Sequence, residues 1–113
     1  AKWYENVLGL KKYRCKEWGD YPIFMLKNKT GVTLFPANTN DTVCDSTSKN
    51  VKIDHFAFNV TRENFENAKR KFTELQIDFN VQDHHFFHSI YLKDPDNHTV
   101  ELTTLVVDED TFY

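Results

Sequence analysis

Residues 88–104 read HSIYLKDPDNHTVELTT, two strand-like runs around an Asp94-Pro95-Asp96-Asn97 turn. In the second run Val100-Glu101-Leu102 alternates apolar, charged, apolar. Strand side chains point to opposite faces in turn, so Glu101 faces away from whatever buries Val100 and Leu102. A single carboxylate on such a face is ordinarily just solvated, and its meaning depends on what shares the face. The same alternation sends Ile90 and Leu92 to the core side and puts Ser89 and Tyr91 with Thr99, Glu101 and Thr103.

Upstream, 51–60 alternates as a strand, and Thr61 is placed to cap a helix over 62–76 whose Phe65, Ala68, Phe72 and Leu75 fall on one face. Strands over 77–82, 87–92 and 99–106 follow. In IDHFAFNV the set Phe56, Phe58 and Val60 meets the apolar helix face, and His55 points the other way. His55, Tyr91 and Glu101 therefore share the face that does not carry the helix. An imidazole and a carboxylate from two strands, beside a phenol, are the beginning of a metal or acid–base site.

The first half repeats this order. AKWYENVLGL has helical spacing in Trp3, Tyr4, Val7 and Leu8, with Gly9 as a stop, and strands over 10–17, 23–27 and 31–35 follow, broken at Trp18-Gly19-Asp20 and turning at Asn28-Lys29-Thr30. Only an opening strand is lacking. No capping residue precedes Ala1 and the chain does not begin with Met, so sequence upstream is expected. The reading is one α+β domain over 1–113: a first module at 1–36, a linker at 37–50 rich in Asn, Thr, Ser and Asp, and a complete βαβββ module at 51–106. Neither half-sheet buries itself alone, so the paired modules are expected to form a curved mixed sheet around a concave site.

Composition narrows the partners. A chain of 113 residues forms one core, burying roughly two thirds of its unfolded surface. Its formal net charge of −3 and dispersed basic residues exclude an electrostatic footprint for nucleic acid. No run approaches the roughly 20 apolar residues of a membrane span, and no signal segment opens the chain, so no membrane partner and a cytoplasmic location are expected. Cys15 and Cys44 lack metal or disulfide spacing and read as small buried hydrophobes. The N-x-[ST] triplets at Asn28, Asn40, Asn59 and Asn97 carry no weight without a secretion signal.

The segments KWYENVLGL, IDHFAFNV and SIYLKDPDNHTVELTT together resemble the vicinal oxygen chelate superfamily, which includes the glyoxalases, bleomycin- and fosfomycin-resistance proteins and extradiol dioxygenases. The resemblance covers nearly the whole chain. It implies that His55 and Glu101 are metal ligands, with a further His expected on the missing opening strand, for a divalent ion such as Fe, Mn, Ni or Zn. It also implies that Tyr91, ten residues before Glu101, is a site tyrosine. Aligning GVTLF with TVELT puts Thr33 where glyoxalase I has a fourth, catalytic Glu, so the pattern departs from glyoxalase I.

The expected function is thus a metal-dependent lyase, transferase or dioxygenase acting on a small oxygen-rich substrate chelated through vicinal oxygens, with Tyr91 and Glu101 catalytic and Thr33, Phe35 and Ser89 in the substrate pocket. A homodimer is expected on the same ground. The alternative is a metal-free binding or sequestering protein of the bleomycin-resistance type. The run Asp83-His84-His85-Phe86-Phe87-His88 reads as a polar hairpin tip: His84 and His85 point apart, His88 falls on the core side, and one of the three is available as an indirect donor or base. His98, after the turn, is expected to be exposed.

Overall fold

Gly9 adopts a left-handed backbone, φ +69°, a conformation that ends a helix at little cost only where there is no Cβ. In the computed structural model, which describes residues 1–45 and 47–112, α1 (Lys2–Asn6) closes there. The Gly9 amide donates to the Glu5 carbonyl and the Leu10 amide to that of Tyr4, both at 3.1 Å. Tyr4, Val7 and Leu10 are buried.

The chain divides into two compact units, Ala1–Val43 and a second beginning at Cys44. In the first, β1 (Lys11–Tyr13), β2 (Ile23–Lys27) and β3 (Thr30–Leu34) form an antiparallel sheet in the order β1-β2-β3. The strand expected over 10–17 stops after three residues. The backbone instead enters a 3₁₀ turn over Lys16–Trp18, where the Trp18 amide donates to the Cys15 carbonyl, with two side-chain contacts beside it: Arg14 pairs with Asp20, and the Cys15 thiol donates to the Glu17 carboxylate at 2.8 Å. Asn28, at φ +56°, makes the tight turn into β3. Gly31 has no room for a side chain, since a Cβ would collide with the Met25 carbonyl oxygen.

The second unit runs β4 (His55–Asn59), α2 (Arg62–Glu74), β5 (Phe79–Asp83), β6 (Phe87–Lys93), β7 (Thr99–Leu105) and α3 (Glu109–Phe112). Its sheet order is β4-β7-β6-β5, with β4 and β7 parallel and the other pairs antiparallel. This is the expected βαβββ order, in a mixed sheet. β4 starts at His55 and not at residue 51, because its partner β7 begins opposite at Thr99. Val51 and Ile53, beyond that partner's reach, are exposed.

α2 begins where Thr61 accepts the Asn64 amide at 3.2 Å. It packs across β7 with Phe65 and Phe72 buried against the sheet's apolar side, where Ile90, Leu92, Val100 and Leu102 lie. Leu75, expected on that face, is 48% exposed. The helix ends at Glu74 and Gln76 turns left-handed, so Leu75 leaves the buried stripe; the Ile77 amide closes the end on Phe72 and delays β5 to Phe79. α3 was not foreseen in the sequence; its Phe112 ring packs edge-on against Phe87 at 4.6 Å.

Candidate functional site

Glu101 is the answer to what shares the polar face of β7. β7 is a central strand, flanked by β4 and β6. Its register sets Glu101 opposite Tyr91 on β6 and Ala57 on β4, two residues along from His55. The carboxylate is buried, 7% exposed, and not solvated. A buried carboxylate needs partners to offset its lost hydration. It has two: the Tyr91 hydroxyl donates to Oε1 at 3.0 Å, and His55 Nε2 lies 3.0 Å from Oε2.

His55 is held from its other side. Its Nδ1 lies 2.8 Å from Asp54 Oδ2, so the ring is set between two carboxylates with Nε2 turned toward Glu101. The same contact draws the exposed Asp54 carboxyl below its usual range. The His55 and Tyr91 rings meet edge to face at 5.6 Å. Burial first, then the bond to Glu101 and its charge, push the Tyr91 phenol above its ordinary pKa; the Ser89 hydroxyl pulls weakly the other way.

Ser89 is buried on the same face and donates to the Thr103 hydroxyl at 3.2 Å. By register Asn80 and Gln82 of β5 extend the polar row beside Tyr91 and Ser89. The structure thus brings His55, Tyr91, Ser89 and Glu101 together on one face of the second unit. Thr33 and Phe35 lie in the first unit, Thr33 exposed on β3 opposite Phe24 and Phe35 70% exposed just beyond it.

One member of the site escaped sequence reasoning, and another was only one of three candidates. Asp54 precedes a strand that was expected to start earlier, so its reach back to His55 Nδ1 was hidden. His84 Nε2 lies 3.1 Å from the Tyr91 hydroxyl; a parity shared with Asn80 and Gln82 was the available signal. His88 goes to the opposite side, its ring 6.4 Å from Phe65, and His85 takes φ +69° at the tip. His98 is exposed.

As ligands, His55 and Glu101 suit a divalent cation: an imidazole nitrogen oriented by a carboxylate on its far side, beside a carboxylate oxygen. Two ligands on an ion at about 2.1 Å, at right angles, stand about 3 Å apart. The observed 3.0 Å is that spacing. Among the described residues, no cluster of three or more His, Cys, Asp or Glu is arranged to hold an ion.

No family model matches the chain, and no curated protein matches it. Solved structures do. A glyoxalase/dioxygenase from Nostoc punctiforme superposes with a TM-score of 0.74 at 17% identity, over 93% of this chain and 80% of that one. The fosfomycin resistance protein FosX from Mesorhizobium loti gives 0.64 at 21% identity, over 97% and 84%. Lactoylglutathione lyase from Agrobacterium tumefaciens gives 0.64 at 21%, over 90% and 80%. Likeness at such identities speaks for architecture alone, and with the βαβββ topology it shows that the chain has the glyoxalase-type fold of these structures.

Proposed function

We propose that this chain is a divalent-metal enzyme acting on a small oxygen-rich molecule, with His55 and Glu101 as two of the ligands. The observation that carries the reading is the 3.0 Å approach of His55 Nε2 to a buried Glu101 oxygen, with Asp54 fixing the imidazole's orientation. Two vicinal oxygens of a substrate would complete the coordination, and the ion, Fe, Mn, Ni or Zn, would supply Lewis acidity there.

The chain's own residues do the rest. Tyr91 keeps its proton at neutral pH, because burial and Glu101 both favour the neutral phenol. It therefore serves as a donor at the edge of the site, to Glu101 at rest and to a substrate oxygen when one arrives. Ser89 and Thr103 present hydroxyls on the same face. These groups recognise oxygen-rich ligands by hydrogen bonds and offer little to an apolar one. Names of the similar structures, fosfomycin resistance protein and lactoylglutathione lyase among them, support a lyase, transferase or dioxygenase class without selecting one. A cytoplasmic location and a homodimer belong to the same proposal.

One observation favours a second reading, a metal-free binding protein of the sequestering type. His55 Nε2 and Glu101 Oε2 already lie within hydrogen-bond distance of each other, so the buried carboxylate has a partner without an ion. Elemental mass spectrometry of the purified protein separates the two. About one Fe, Mn, Ni or Zn per chain, lost in both His55→Ala and Glu101→Ala, is the expected result. Metal content unchanged in His55→Ala would rule out the ligand assignment, and none in the wild type would favour the sequestering protein.

A further inference from the structure

We propose that His84 is a positioning residue for the site. In the resting site its Nε2–H donates to the Tyr91 oxygen and so commits the phenol's only proton to Glu101 Oε1, leaving Oε2 as the ligand oxygen beside His55. The inference rests on the metal-holding reading of His55 and Glu101.

The polarity follows from counting protons. An ionised carboxylate only accepts, so across the 3.0 Å between Tyr91 and Glu101 Oε1 the hydroxyl must be the donor. A phenol has one proton. With that proton spent, the 3.1 Å contact to His84 Nε2 is a hydrogen bond only if His84 donates. The opposite assignment would set the phenol oxygen's lone pairs against those of Glu101. His84 is thereby assigned the Nε2–H tautomer, and bonds in series of this kind reinforce one another.

The ring is placed by its backbone. His84 sits just past β5, where its amide donates to the Phe87 carbonyl and its own carbonyl accepts from Phe86, both at 2.8 Å. Asp83 Oδ1 accepts the His85 amide at 2.8 Å and tightens the same tip. A surface histidine held by two backbone bonds within a tightened tip, with its ring edge-on to Tyr91 at 6.2 Å, is aimed and not merely nearby.

The consequence lies in Glu101. If Oε1 is held by Tyr91, the carboxylate cannot rotate freely, and Oε2 stays 3.0 Å from His55 Nε2. Without His84, the phenol is free to turn its proton elsewhere and the carboxylate loses that restraint.

The test has two arms on the full chain. Long-range ¹H–¹⁵N NMR of the metal-free protein reads the tautomer directly: His84 is expected as Nε2–H, and that preference should weaken in Tyr91→Phe. Observation of Nδ1–H in the wild type would overturn the proposal. In the second arm, calorimetric titration with Mn²⁺ should show affinity falling about 3- to 10-fold in His84→Ala, a smaller loss than for a direct partner of a ligand. His84→Gln, which retains a donor, should recover most of the loss. In a Tyr91→Phe background His84→Ala should have no further effect. An equal loss with and without the Tyr91 hydroxyl would overturn the relay. Failure of the wild type to take up Mn²⁺ counts against the metal reading itself, and the tautomer then decides the role of His84 alone.

Discussion

Tyr91 holds its proton against a carboxylate inside the protein, and this has a measurable cost when it is removed. Tyr91→Phe leaves a buried Glu101 oxygen without its donor, so it should destabilise the fold by about 1–3 kcal/mol in urea unfolding. The same bond sets a pH dependence. The folded state binds the phenolic proton more tightly than the unfolded chain does. That stabilisation is fully present below the ordinary phenol value of about 10 and is lost as pH rises through the higher folded value. The stability gap between wild type and Tyr91→Phe in the metal-free protein should therefore shrink as the pH is raised above about 10. A gap constant through that range would refute the assignment. Strand alternation alone made the common face of His55, Tyr91 and Glu101 legible in the sequence. It could not show that Glu101 is buried, since burial depends on what lies above the face, nor that Asp54 and His84 complete the arrangement, since both lie just outside strand ends.

The elements that carry the site were readable where local chemistry and tertiary structure agree. Thr61 at the head of α2 is one such place. Thr61→Ala removes the acceptor for the Asn64 amide and should cost about 1 kcal/mol, measured by the shift of the urea midpoint at unchanged slope. Gly31, on β3 of the first unit, is a place where the reason lies in the partner strand and not in the local sequence. Gly31→Ala drives a methyl into the Met25 carbonyl, so the β2–β3 pairing must part; loss of amide-exchange protection in 23–34, with protection in 87–105 retained, is the expected signature. Sequence reasoning overextended the strands at 10–17 and 51–60 for one physical cause. A run of suitable residues becomes a strand only as far as a partner runs beside it, and partner length is not written in the run itself. Leu75 fails similarly, because helical spacing continues in the sequence past the point where Gln76 turns the backbone away.

For the whole molecule, the two compact units are joined through a stretch with no regular ladder among its described residues. Lys49 and Lys52 are exposed there, between β3 and β4. Limited trypsin digestion should cut first at these two residues and ahead of Lys27 or Lys93, which lie in paired strands, with mass spectrometry of the first fragments as the check. The order of the second sheet, β4-β7-β6-β5, carries a further consequence. The last strand of the unit is not at the margin: it inserts between the first strand and the β5–β6 hairpin, and it brings Glu101 to His55 as it does so. During synthesis the His55–Glu101 pair therefore cannot exist until β7 has left the ribosome and docked. A nascent or truncated chain with β4, α2 and the hairpin has a histidine but no carboxylate opposite it. Assembly of the candidate pair in this sense requires nearly the whole unit, since its two members come from the first and last strands of one sheet.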